Sequence, residues 1–394
     1  MLEITRDLYW VGAKDWELRT FHGRELSTHR GSTYNSYLLR DEKTVLFDTV
    51  WNPFREEFVA RLARDPGLDR IDLIVVNHGE TDHSGALKLL LSKMPKVPVY
   101  CTGNGEKILR KHFHEDWDFR VVKTGDRLKT GKYELLFFEM PMLHWPDSMM
   151  TYIEGTGVLV SNDAFGQHYA ARGMFNDEVD ECELYEEALK YYANILTPFN
   201  AQMRKKLQEF GNLELPIEMI CPSHGVLWRE DPRQIITKYA EWSEDYQEDQ
   251  VAVLYDTMWN GTKAMAEAIA AGLAAEGLPV RVFNTSRTDK NDVVTEVFRS
   301  RAIVVGSPTV NRTVLYSIAG ILDLLAGLRF KGKKAAAFGS YGWSGESADA
   351  IHRHLKEAGF EVLDEKLKLK YQPTGDELDE CMSFGRRFAA YLNA

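Results

Sequence analysis

A chain of 394 residues with 44% hydrophobic and 27% charged side chains has the length of two domains and an ordinary globular composition, which excludes disordered, collagen-like and coiled-coil classes. Fifty-nine acidic residues against 48 basic ones give a formal net charge of −11, so non-specific attraction to nucleic-acid phosphate is disfavoured. Cys101, Cys182, Cys221 and Cys381 form no CxxC pair, the N-terminus has no secretory pattern, and no apolar run approaches the roughly 18 to 20 residues of a membrane span; the expectation is a cytoplasmic protein without nucleic-acid or membrane partners.

Short apolar runs at 35–40, 43–49, 72–78, 97–102, 133–139 and 156–163 predict a mostly β core with interspersed helices in the N-terminal half. The run ending at Asn77 leads directly into His78, Gly79, Glu80, Thr81, Asp82 and His83, which places four metal-ligand side chains within six positions. A loop leaving a strand can aim alternate side chains into one space, and Ser84, Gly85 and Ala86 let the following helix approach closely. His144 in MLHWPDS, Asp163 in LVSNDAFG and His224 in CPSHG each follow an apolar run. The seven residues suffice for two metal ions if a carboxylate bridges them, with Asp163 the natural bridge. Imidazole with carboxylate and no thiolate suits iron, manganese or zinc.

The stretch at 241–250 holds five acidic residues and no basic one, and predicts a division into 1–248 and 249–394. Beyond it, apolar runs at 251–255, 279–283, 302–306, 335–339 and near 367–371 alternate with helical patterns such as Met265, Ile269 and Leu273. This alternation predicts a flavodoxin-like doubly wound parallel sheet. After the first run come Thr257, Met258, Trp259, Asn260, Gly261 and Thr262, hydroxyl and small residues opening a helix, a phosphate cradle that is neither a Walker loop nor GxGxxG. Two more loops, with Ser307, Pro308, Thr309, Val310 and Asn311 in one and Ser340, Tyr341, Gly342, Trp343, Ser344 and Gly345 in the other, are expected at the same sheet edge. No arginine is placed for a second phosphate, so FMN is preferred to FAD.

At the HxExDH loop the sequence resembles the metallo-β-lactamase fold, and specifically the flavodiiron proteins. Zinc hydrolases of that fold carry HxHxDH; here Glu80 replaces the second imidazole with a hard, charged oxygen donor, which favours a diiron centre over the alternative of a dinuclear zinc hydrolase with a flavodoxin-like regulatory module. The resemblance implies an N-terminal αββα domain followed by the flavin domain. It assigns His78, Glu80 and His144 to one iron, Asp82, His83 and His224 to the other, and Asp163 to both, with His83 the ligand that some relatives leave uncoordinated. His22 matches a histidine on the substrate side of the irons; Tyr191 or Tyr192 is expected to face the same pocket, Tyr192 being the named candidate. The implied reaction is reduction of O2 to water, or of NO to N2O, by electrons reaching the irons through FMN from a separate carrier such as rubredoxin. A head-to-tail homodimer, or a homotetramer made of two, is implied as well.

Overall fold

The computed structural model describes residues 1–393 and divides into two compact units, one of Met1–Tyr191 with Phe199–Glu241, the other of Tyr192–Pro198 with Trp242 onward. The expected division at 248/249 falls later than this, because Trp242 is buried with its ring on Tyr192 and Tyr246 packs on Phe298. Among the described residues no helix is long and apolar enough to cross a membrane.

The first unit is a sandwich of two sheets. Leu2–Thr5, Leu8–Trp10, Tyr37–Leu39, Thr44–Phe47, Ile71–Val75, Val99–Cys101 and Phe119–Val121 follow one another across the first, antiparallel up to Thr44–Phe47 and parallel beyond. Arg127–Lys129, Glu134–Glu139, Met149–Glu154, Val158–Asn162 and Met219–Pro222 make the second, with only the last pair parallel. Leu39, Phe47 and Val75 of one sheet meet Phe137, Ile153 and Val160 of the other in a shared core. That core fixes the sheets face to face, so strand ends from both open onto one edge.

The second unit is a five-stranded parallel sheet in the order Val280–Asn284, Glu248–Tyr255, Ser300–Gly306, Lys334–Tyr341, Glu361–Lys370. This is the flavodoxin order, whose direction of winding reverses beside Glu248–Tyr255 and leaves a crevice at the strand ends. Tyr255 pairs with Gly306 and Gly306 with Phe338, so three loops leave the sheet at one level. Gly306 is required there, since a Cβ would lie 2.1 Å from the Phe338 ring. Met265, Ile269 and Leu273 are buried on the helix Gly261–Ala275, which packs against Gly375–Leu392 with its Phe384 and Phe388. Thr374 and Glu377 start that last helix with a reciprocal capping box.

Candidate functional site

The strand Ile71–Val75 delivers His78 and Glu80 to the sandwich edge, and the single helical turn Thr81–Ser84 presents Asp82 and His83 beside them. His144 lies in the turn between Glu134–Glu139 and Met149–Glu154, while Asp163 and His224 sit just past Val158–Asn162 and Met219–Pro222. All seven predicted ligands therefore converge. His78 Nε2 stands 3.2 Å from Glu80 Oε2 and 3.8 Å from Asp163 Oδ2, and His144 Nε2 is 3.5 Å from that same Asp163 oxygen. The other oxygen, Asp163 Oδ1, is 3.2 Å from His83 Nε2 and 3.5 Å from His224 Nε2, which stands 3.1 Å from Asp82 Oδ2. Asp163 thus turns one oxygen toward each of two ligand groups.

The imidazoles are held from behind. His78 Nδ1 bonds to Asp147 Oδ1 at 3.0 Å, and His224 Nδ1 donates to the Thr33 carbonyl at 2.7 Å, which leaves each Nε2 lone pair facing the cluster. Burial would raise the Asp163 pKa, but the facing imidazoles, His83 first, hold it far below the carboxylate range. Burial would likewise lower His83, and the Asp82 and Asp163 carboxylates instead push it up to about 9. Asp82 Oδ1 and both Asp163 oxygens are buried without a hydrogen-bond partner among the described residues. Bare buried carboxylate oxygens cost on the order of several kcal/mol unless a cation meets them. A pair of divalent metal ions fits this all-nitrogen-and-oxygen donor set, and ligand triplets such as His78, His144 and Asp163, or Asp82, His83 and His224, are already close enough to close on one.

One wall of the cluster is aromatic. His22 Nε2 is 3.0 Å from Glu80 Oε1, its ring stacks on Phe21 at 4.4 Å, and the Glu80 carboxylate raises its pKa although burial opposes the shift. His168 is buried, with Nδ1 3.0 Å from Ser32 Oγ and its ring 5.1 Å from Tyr191 and 5.4 Å from His224. Burial first, then the neighbouring imidazoles, keep His168 neutral.

In the second unit a cavity of about 460 Å³ opens between the three loops at the sheet edge. Asp256 accepts from the Thr257 N–H at 2.7 Å and from the hydroxyls of Ser286 and Ser317, which aims the first loop. Among the described residues Thr257 Oγ1 is buried without a hydrogen-bond partner, and the helix Gly261–Ala275 begins with no side-chain cap, so the hydroxyl and the first N–H groups of the helix can take an anion. The residues present fit a flavin phosphate.

Residues 33–225 match the family model described as ODP family beta lactamase and residues 253–385 the one described as flavodoxin. The chain is 50% identical over 392 residues to the anaerobic nitric oxide reductase flavorubredoxin of Vibrio vulnificus, covering 98% of this chain and 79% of that one. It is 51% identical over 390 residues to the Klebsiella pneumoniae protein of the same name, covering 98% and 81%. Rubredoxin oxygen:oxidoreductase from Desulfovibrio gigas superposes with a TM-score of 0.96 at 36% identity, covering 100% of this chain and 98% of that one. The flavodiiron protein of Giardia intestinalis gives 0.95 at 35%, covering 99% and 96%. The chain belongs to the flavodiiron proteins.

In this flavodiiron protein the tyrosine expectation needs correction. Tyr192 is fully buried and packs on Trp242 and Phe298 within the second unit, whereas Tyr191 stacks toward His168 and His224. Neighbours on a helix diverge by about 100°, so only one of the pair can face the cluster. Of the expected flavin residues, Asn260, Ser307, Val310, Asn311, Ser344 and Gly345 do not line the cavity. Ser307 is wholly buried and bonds its own chain, Val310 closes a turn onto Thr313, and Asn260 sits at φ 65° under the helix start. Sequence reasoning missed Asp147, Thr33 and His168. Asp147 lies three residues past His144 and His168 five past Asp163, but no spacing rule ties either to a strand end. His112 and His114 are exposed, as expected of surface residues.

Proposed function

We propose that this protein reduces nitric oxide at a diiron centre supplied with electrons through FMN, two NO with two electrons and two protons giving N2O and water. Support for NO comes from the relatives at 50 and 51% identity, whose names state that activity. Four-electron reduction of O2 to water is the second reading, favoured by the likeness to the Desulfovibrio gigas enzyme. The observation that carries both is Asp163, with one bare oxygen turned to each ligand group. His78, Glu80 and His144 would hold one iron and Asp82, His83 and His224 the other, with Asp163 offering an oxygen to each group. When bound, the iron pair would supply the redox chemistry for the gas and FMN the one-electron transfer that feeds it.

The chain's own residues shape that chemistry. His22 holds Glu80 through its outer oxygen, Phe21 and the buried rings of Tyr191 and His168 exclude water, and Asp147 orients His78. Burial keeps the Tyr191 phenol protonated, with its ring against His168 and His224. Trp259 and Trp343 are 81 and 91% exposed at the flavin mouth, a patch suited to cover by the metal unit of a second copy in a head-to-tail dimer. The donor is a rubredoxin-like carrier, in keeping with the name of the Desulfovibrio gigas relative. Four unpaired cysteines fit a cytoplasmic location.

The test is to quantify iron, zinc and flavin in protein purified without added metal, then follow anaerobic NO loss with reduced rubredoxin. About two irons and one FMN per chain, with NO consumed, are expected. Zinc in place of iron, together with hydrolysis of an ester or thioester, would overturn the reading.

A further inference from the structure

The last strand of the second unit, Glu361–Lys370, runs into Tyr371 and Gln372 before the helix Gly375–Leu392. No motif marks these two residues, yet both stand in the wall of the flavin cavity. The Gln372 side-chain amide donates to the Trp259 carbonyl at the tip of the first loop. The Tyr371 N–H donates to the Tyr341 carbonyl of the third loop at 2.8 Å. Its own carbonyl presses on the start of the phosphate-side helix, where a Cβ on Gly261 would meet it at 2.8 Å. Tyr371 takes φ 59°, a region bulky side chains avoid, so its turn is held by these contacts and not by local preference. One short turn therefore fastens two flavin loops together.

The first loop has little else to hold its tip. Met258 and Trp259 are 49 and 81% exposed, so no core packing fixes them. Asn260 also sits at a positive φ, and the helix after it starts without a side-chain cap. A loop whose N–H groups must converge on a phosphate binds well only if that arrangement exists before the ligand arrives.

We propose that Gln372 is a positioning residue for the flavin phosphate: by holding the Trp259 carbonyl it keeps the first loop in the shape that receives the phosphate of FMN. The inference rests on the reading of the second unit as an FMN site. It deepens that reading by assigning the preference for a phosphorylated flavin partly to a residue outside the three loops.

The experiment strips the full-length protein of flavin and titrates it with FMN and with riboflavin, which lacks the phosphate, following flavin fluorescence. Gln372→Met keeps the side-chain length and removes the donor, and its exposed position spares the fold. The Kd for FMN is expected to rise about tenfold while that for riboflavin stays within about twofold, because only the phosphate reads the loop. Equal weakening of both flavins would mean general loosening and would overturn the proposal. So would unchanged binding of both. Wild-type protein that binds no FMN would instead overturn the flavin reading itself, a result separate from any difference between variant and parent.

Discussion

Asp147 takes the Nδ1 side of His78 with one carboxylate oxygen and the Gly79 N–H with the other, at 3.0 and 2.7 Å, and both ends of that contact are buried. Asp147→Asn can serve one partner with an oxygen but not both, and is expected to lower iron affinity about 10- to 100-fold, measured by chelator competition. Iron retention equal to the parent would mean that the imidazole needs no carboxylate behind it. Tyr191 and Tyr192 offer a second comparison. Removing the Tyr191 hydroxyl as Tyr191→Phe is expected to slow NO consumption about tenfold, the scale of a lost positioned donor. Tyr192→Phe, in the core of the second unit, leaves turnover unchanged, and the reverse pattern would return the role to Tyr192. At this scale the HxExDH loop was legible because its ligands are neighbours in sequence and share one short turn. The helix phase that separates Tyr191 from Tyr192, and the backing contacts from Asp147 and Thr33, exist only across the fold.

The phosphate-side helix Gly261–Ala275 and the loop before it form one working element. Changing Thr257 and Asn260 together to Ala removes the unpartnered hydroxyl and the left-handed residue under the helix, and should weaken FMN about tenfold or more while iron content stays constant. Flavin loss that tracked iron loss would contradict the separate roles of the two units. Lys333, at the start of the strand Lys334–Tyr341, shows how an element end can carry a charge inward. Its Nζ donates to the carbonyls of Tyr246, Phe298 and Ser300 at 3.0, 2.7 and 2.6 Å, and burial lowers its pKa to about 7 against the opposing pull of Asp245 and Glu248. Because the folded pKa is depressed, the unfolded chain binds more protons above pH 7, so unfolding free energy should rise with pH from about 7 toward 10. In urea titrations Lys333→Met should flatten that rise, and a slope identical to the parent would show that the lysine does not titrate in the window. The five parallel strands were all legible as apolar runs between turn signals. Met149–Glu154 was not, although it lies mid-sheet, because five of its six residues are buried and the alternation that announces a half-buried strand is missing.

At the scale of the whole molecule, the proposed head-to-tail dimer makes a prediction that neither unit makes alone. His78→Ala chains lack a complete metal site, and chains changed at Thr257 and Asn260 lack tight flavin. Mixed and allowed to exchange subunits at an FMN concentration that leaves the second variant empty, the two variants, each inactive alone under those conditions, should recover about a quarter of wild-type NO turnover, since half the dimers are mixed and each sets one good flavin against one good metal site. Failure to recover activity, with mixed dimers shown to form, would mean that electrons pass within one chain.

The sequence by itself determined the two-domain plan, the alternation of strands and helices in the flavin unit and the chemistry of the metal loop. Those features depend on side chains close together in the chain, where periodicity and ligand spacing act directly. Tertiary structure alone decided that Asp147 backs His78, that Tyr191 and not Tyr192 faces the cluster, and that Gln372 reaches the Trp259 carbonyl. Each of these joins segments far apart in the chain, and only the packing of sheets and helices sets which side chains meet.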